Sequence, residues 1–585
     1  MNAERLLQHY ERIADAPDAV ARLRRFILEL AVRGKLVPQD PADEPASELL
    51  KRIEAEKARL VNAKVIRDIE AKIPLGDAKW PCELPKSGWI WVSLSHVGRM
   101  SGGMTPSMTR PDYWGGTVSW LSPKDIKSEQ VFESELKITE RGLTETRLEA
   151  YPVGSLFIVA RSGILKRTLP VAINRNPAAA NQDMKVLVPF LPGMERFLQI
   201  MLRGFEGFIL SELVKTGTTV QSLKYNEFEA QSFPLPPLAE QQRIVAKVDE
   251  LMALCDELEA VRTEREVKRD RLAAASLARF YTPDPETFRD DARFALDALP
   301  ALTARPDQIK QLRQTILNLA VRGKLVPQDP ADEPAEELLK LITAERDVLV
   351  RQKEIRRDAP LEPVTARDCP HAIPSSWAWS RVGDAVLFTQ YGSSQKSHAS
   401  QSGVPVLTMG NIQDGSVIWG NDKRIPESSD DLPALYLKKF DLLYNRTNSA
   451  ELVGKTGIYL GQSDARTFAS YLIRLRPSLS NSDPLYLNVA MNAPCFRETQ
   501  IVPLIKKQTG QANVSGSALK NMLIPLPPLA EQHRIVAKVE ELMALCDQLE
   551  TSLTNADETR KKLLDALLAE ALAPVDAIAL QEAAE

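Results

Sequence analysis

Apolar residues recur in two long stretches of the chain at alternating steps of four and three. One seam runs through Ile244, Val248, Leu251, Cys255 and Leu258; the other runs through Ile535, Val539, Leu542, Cys546, Leu549, Leu553 and Ala556, resuming at Leu563 and Leu567. This is heptad spacing. Each stretch follows a PLPP cluster, at 234–237 and 525–528, whose prolines continue neither a helix nor a central strand. The pattern predicts two helices of roughly 35 to 45 residues, about 50 to 65 Å of rod each. Two equivalent seams in one chain predict an antiparallel intramolecular coiled coil; the alternative is that each seam packs on its own globule.

Shorter apolar faces precede them. Leu23, Phe26, Ile27 and Leu30 share one helical face that ends at Gly34, a C-terminal cap, with Pro38 barring resumption, and Ile316, Leu319, Gly323 and Pro327 repeat the arrangement. Charged helices are expected around Ala46–Ala71 and Ala335–Arg357. Elsewhere β-rich runs such as Ser155–Val159, Val404–Met409 and Thr456–Leu460 alternate with Gly, Ser and Asn turns, with helix near Met194–Lys215. Trp89 with Trp91, behind Pro85, and Trp377 with Trp379, behind Pro374, stand two apart, which puts each pair on one face of a strand.

The chain contains itself twice. LAVRGKLVPQDPADEPA at Leu30–Ala46 returns letter for letter at Leu319–Ala335, and PLPPLAEQQRIVAKVDELMALCDELE at Pro234–Glu259 returns at Pro525–Glu550 with 23 of 26 positions unchanged. The shifts, 289 and 291 residues, nearly agree, so the chain is a direct tandem. The inserts between the blocks share little identity. The resulting division is a helical framing region at 1–75, a first domain at 76–236, a long helix at 237–282, a linker and second framing region at 283–364, a second domain at 365–527, and a final long helix and tail at 528–585. The Pro- and Asp-rich stretch Tyr281–Asp291 marks the boundary between halves. The fold class expected is mixed α/β: two diverged globules, an antiparallel pair of long helices and a pseudo-twofold repeat.

Composition narrows the function. With 74 basic and 78 acidic residues the net charge is −4, so contact with a polyanion must be local. The five cysteines form no CxxC pair and no Cys/His pair at zinc spacing, which reads as free thiols in a reducing compartment. Acidic residues near the start argue against a secretory signal, and no run approaches the about 20 apolar residues of a bilayer span. The chain is expected in the cytoplasm. Sharp catalytic signatures are missing. Gly454-Lys455-Thr456 has Ser449 where a phosphate loop needs glycine, Asn176-Pro177-Ala178-Ala179 lacks the aromatic of an adenine-flipping loop, and the five histidines are scattered. No catalytic, metal or cofactor-binding residue is therefore assigned.

Two different globules in one repeated frame point to recognition. Basic and polar loops with glycine are the candidate DNA contacts. In the first insert these are Arg99, Ser101, Gly102 and Thr105 with Arg110; Arg161 and Ser162 with Lys166 and Arg167; and Lys215, Thr218, Gln221 and Lys224. In the second they are Gln390, Tyr391, Ser393 and Lys396; Asn411; Arg446 and Asn448 with Lys455; and Lys506, Lys507, Gln511 and Asn513. If each globule reads DNA, the rod sets two half-sites apart and the target is bipartite. Because the frames match, each would touch one copy of the same partner.

The doubled motif PLPPLAEQ[QH]RIVAKV[DE]ELM, at Pro234–Met252 and Pro525–Met543, resembles the exit from a target-recognition domain into a long helix in the specificity subunits of type I restriction-modification enzymes. The LAVRGKLVPQDPADEPA blocks resemble the framing regions of that family's longer members. The resemblance implies two α/β target-recognition domains reading a split, asymmetric double-stranded DNA sequence. It also implies two methyltransferase subunits using S-adenosylmethionine to make N6-methyladenine, and two motor-nuclease subunits using ATP and Mg2+. By the same resemblance Leu238, Gln241, Arg243 and Ile244, with Leu529, Gln532, Arg534 and Ile535, would dock the methylating subunits. A competing expectation is a coiled-coil adaptor whose globules bind proteins without DNA specificity.

Overall fold

The computed structural model describes residues 15–66, 81–84, 88–215, 217, 220–281, 303–420, 422–508 and 511–572, with 290, 293–294 and 297–299. Two compact units emerge: Met1–Arg265 with Asp557–Glu585, and Glu266–Ala556. Their boundary passes through both long helices, Leu238–Tyr281 and Leu529–Leu572, each of 44 residues.

In the first unit, helix Ala19–Val32 buries Phe26, Ile27 and Leu30, the face its spacing predicts. It stops where expected, because Gly34 takes a left-handed φ of 64° and Lys35 N donates to Leu30 O at 2.9 Å. Helix Ala46–Asn62 buries Ala46, Leu49 and Ile53 at steps of three and four. It ends nine residues short of Ala71, which lies outside the described residues, because Lys64 adopts φ 58° and turns the chain. An inbound strand, Ile90–Ser93, pairs antiparallel with an outbound strand, Ser232–Leu235. Between them lies a five-stranded sheet in the order Gly98–Gly102, Met184–Pro189, Leu156–Val159, Val171–Asn174, Gln130–Val131. Its central strand Leu156–Val159 is buried throughout, as an unbroken apolar run requires. The helix expected near Met194–Lys215 divides into Glu195–Gly204 and Glu206–Glu212, and its last residues become the strand Val214–Lys215.

The second unit repeats the plan. Helix Pro306–Ala320 ends at Gly323 (φ 65°), helix Ala335–Arg351 buries Ala335, Leu338 and Ile342, and Lys353 (φ 62°) turns the chain as Lys64 does. Strands Ala378–Arg381 and Leu523–Leu526 form the inbound and outbound pair. The sheet between them runs Phe388–Tyr391, Leu472–Arg476, Leu442–Asn445, Thr456–Ile458, Ser416–Val417, Ile412–Gln413. Its first five strands match those of the first unit in order, the fifth pairing parallel with the fourth in both. Little sequence identity therefore still gives one topology, because alternation and turn positions are kept while side chains change.

The early seam residues pack on their own half. Ile244, Val248 and Cys255 belong to the first unit's core, and Ile535, Val539 and Cys546 to the second's. One ionic clamp recurs: Arg24 reaches Asp256 and Glu259 at 2.6 and 2.7 Å, and Arg313 reaches Asp547 and Glu550 at 2.7 and 2.9 Å. At the far end of the last helix, Leu564 and Leu567 pack with Ala16 and Ala19 inside the first unit.

Candidate nucleic-acid interface

Three predicted segments meet in the first unit. Strand Arg161–Ser162 pairs with Gln221–Leu223, which pairs with Val214–Lys215, making a small sheet from segments about fifty residues apart in sequence. The turn Asn181–Asp183 ties it to the Arg99–Thr105 segment. Arg161 N donates to Asp183 O at 3.0 Å, while Thr105 bonds to Gln182 and Met104 N donates to Ala180 O at 3.0 Å. Gly103 is required there, since a Cβ would stand 2.0 Å from Ala180 O.

The second unit builds the same sheet from other residues. Thr447–Asn448 pairs with Gln511–Asn513, which pairs with Lys506–Gln508. Here Tyr391 and Arg446 join it: the guanidinium lies 5.1 Å from the ring centroid, Gly516 N donates to Tyr391 Oη at 2.7 Å, and Val514 N donates to Arg446 O at 2.9 Å. Gly392 repeats the role of Gly103, with a Cβ 2.3 Å from Phe468 O.

The predicted contacts fall into different environments. Arg161, Lys166, Arg167 and Lys215 are exposed, and the nearest carboxylate to Arg161 is Asp183 at 4.0 Å. Gly102, Thr105 and Lys396 are also exposed. Other candidates are committed within the protein. Arg99 pairs with Glu149, and that bond raises its pKa. Arg110 sits against Asp112 at 2.8 Å and over Tyr113, holding the Asp112 carboxyl at about 2. Ser101 accepts from Tyr151 Oη at 2.8 Å, and Ser162 Oγ caps the turn that follows it. Gln221 is buried and donates to Gly217 O at 3.1 Å, bracing the hairpin rather than presenting itself. Lys224 Nζ donates to Glu212 O at 2.8 Å.

In the second unit Ser393 is buried against Asp431 and Gln390 bonds Arg474. Asn411 closes its own turn at Thr408 N, 2.7 Å, and Asn448 accepts from Ser449 N at 2.8 Å. Lys455 lies 3.8 Å from Asp414, and Asn513 accepts from Thr447 Oγ1 at 3.2 Å. Thr218, and the side chains of Lys506, Lys507 and Gln511, lie outside the described residues.

Of the residues assigned to partner docking, Gln241, Ile244, Gln532 and Ile535 are buried. At these steps of the helix the apolar and amide side chains face the half's own core. Leu238 and Leu529 are half-buried, and Arg243 and Arg534 are held in bidentate pairs by Asp43 and Asp332, at 2.6 and 2.7 Å for the shorter bonds.

Sequence reasoning missed a junction just above these pairs. Glu240 and Glu531 are buried in the first turn of their helices, where each accepts a 2.9 Å hydrogen bond from an indole, Trp89 or Trp377. Burial pushes both carboxyls up from their usual pKa. In the second unit Gln328 also donates to Glu531, at 3.1 Å. The sequence carried no separate signal for it, since both glutamates stand in a block that repeats at 23 of 26 positions.

Comparison with known proteins gives this doubled geometry a family. The family model for the type I restriction modification DNA specificity domain matches residues 86–269 and again 374–556. The chain belongs to this family. Each match to the DNA specificity domain takes in one inbound strand, one insert and the start of one long helix. The chain is 29% identical to the type I restriction enzyme EcoAI specificity subunit of Escherichia coli, over 94% of this chain and 93% of that one. It is 28% identical to the EcoEI specificity subunit of Escherichia coli, over 94% of each. A solved structure of the HsdS subunit from Thermoanaerobacter tengcongensis is 20% identical, covering 84% of this chain and 97% of that chain, with a TM-score of 0.40. Among the described residues, no helix is long and apolar enough to cross a membrane.

Proposed function

We propose that this specificity subunit reads a bipartite, asymmetric DNA sequence, one half-site per recognition domain, and is not itself a catalyst. The domains correspond to residues 76–236 and 365–527. The observation that carries the reading is the strand-and-hairpin sheet built twice on one repeated frame from different residues: Arg161, Lys166 and Lys215 in one half, the Tyr391–Arg446 stack in the other. Exposed cations supply phosphate contacts, and the stacked guanidinium is a planar donor suited to a base edge. The exposed helix face beside the buried seam, Ala239, Gln242 and Ala246 with Ala530, His533 and Ala537, offers equivalent docking to two methyltransferase subunits. These use S-adenosylmethionine for adenine N6 methylation, and two motor-nuclease subunits use ATP and Mg2+ for cleavage. The complex acts in the cytoplasm.

The test is single-molecule sequencing of DNA from cells expressing this chain with its methyltransferase, against cells lacking this chain. The reading expects a new split motif of modified adenines that depends on this chain. A soluble complex with active methyltransferase and no such motif would favour the adaptor instead.

A further inference from the structure

In each half the recognition domain joins the long helix through its inbound and outbound strands, which pair with each other at Ile90–Ser93 with Ser232–Leu235 and at Ala378–Arg381 with Leu523–Leu526. These ribbons form stalks buried in the core that domain and long helix share, with Phe233, Leu235 and Ile244 in one cluster and Ile524, Leu526 and Ile535 in the other. Apolar packing is not directional, so the angle between stalk and helix calls for bonds that are. The indole-to-carboxylate bond lies at that place in both halves, joining the residue just before the inbound strand to the third residue of the helix. It is 2.9 Å long in each half, although the domains it carries have diverged.

A packed apolar pair would bury the same surface without taking a carboxylate out of water. What the polar pair adds is direction, since an N–H to carboxylate bond tolerates little bending. One helical turn on, Arg243 with Asp43 and Arg534 with Asp332 bind the same helix start to the framing loop, so stalk, loop and helix are held together by bonds of fixed geometry. Gln241 and Gln532 brace both junctions, donating to Pro236 O and Pro527 O at 2.9 Å each, and Gln532 also accepts from Asp483 N at 2.8 Å.

We infer that Glu240 with Trp89, and Glu531 with Trp377, are positioning pairs that fix the angle at which each recognition domain leaves its long helix, and thereby the spacer length the subunit accepts between half-sites. They touch no DNA; they decide where the reading surfaces stand. The inference rests on the bipartite reading proposed above.

The experiment uses the full chain assembled with its methyltransferase, comparing wild type with E531M and W377F. E531M removes the acceptor at nearly unchanged side-chain size, and W377F removes the donor while keeping a smaller aromatic ring, so a folding failure of one leaves the other informative. Adenine modification is read at sites carrying the wild-type half-sites with spacers one base pair shorter, equal or longer. Modification at the off-length spacers, relative to the correct one, rises by about tenfold in the variants, with unchanged half-site bases. Variants that modify DNA at the wild-type spacer alone overturn the inference. So do variants whose half-site bases change, because the pair would then act in reading. If wild type itself yields no split motif, it is the bipartite reading that fails.

Discussion

The four exposed cations beside the first hairpin sheet, Arg161, Lys166, Arg167 and Lys215, give the account a quantitative edge. DNA binding releases about 0.9 counterion per phosphate neutralised, so four contacts contribute about −3.6 to the slope of log affinity against log salt. Removing three of them, as R161A/K166A/K215A, should flatten the slope by about 2.7. Over a fourfold rise in salt, the variant then loses about fortyfold less affinity than wild type. The assay is equilibrium binding of the assembled complex to duplex DNA carrying the target, followed by fluorescence anisotropy across a salt series. R110A is the control. Arg110 is already neutralised by Asp112, with Glu145 at 3.4 Å, and its removal should leave the slope unchanged. A triple variant with the wild-type slope, or an R110A slope as flat as the triple, would refute the placement of the interface.

Two further outcomes follow from the frame. Ile244 and Ile535 have no exposed surface, so I244A or I535A should each cost about 2 to 5 kcal/mol of stability by urea unfolding, while the folded protein keeps its partner stoichiometry; loss of partner with stability intact would return these residues to a docking role. Glu240 and Glu531 carry raised folded-state pKa values against an ordinary 4.5. A raised acid favours the fold while protonated, so its contribution is full below the ordinary value and is lost as pH rises through the folded one. The urea midpoint of wild type minus that of E240Q/E531Q should therefore fall as pH is raised from 4.5 towards neutrality; a difference that rises or stays level contradicts the burial argument.

The tandem was legible because its signals are strong and local. Heptad steps, the Gly34 and Gly323 caps and the proline stops each dictate one conformation, and the helices they predict are present within a few residues. The strands at Leu156–Val159 and Val404–Leu407 were legible in the β-rich runs Ser155–Val159 and Val404–Met409. Which loops converge was harder, since strand Arg161–Ser162 joins Gln221–Leu223, and through it Val214–Lys215, only by long-range pairing. Charge alone could not separate the exposed Arg161 from Arg99, whose partner Glu149 lies fifty residues away, whereas Arg110 carries its partner Asp112 two residues on. The same holds for the long helices, where identity between copies does not say whether a residue faces outward, as at Ala246, or the core, as at Ile244. Trp89 and Trp377 stand out in sequence by their repeated spacing to a second tryptophan, whereas the buried acids they bind look like any solvent-facing glutamate at a helix start.

The central claim is that two independent readers stand on one repeated frame. It is tested most directly by replacing residues 80–233 with the corresponding segment of another family member, expressing the chimera with its partners, and mapping modified adenines by single-molecule sequencing. The account predicts a motif in which one half-site changes to that of the donor while the other is kept. A chimera that assembles and modifies DNA with both halves altered, or with neither altered, would contradict it.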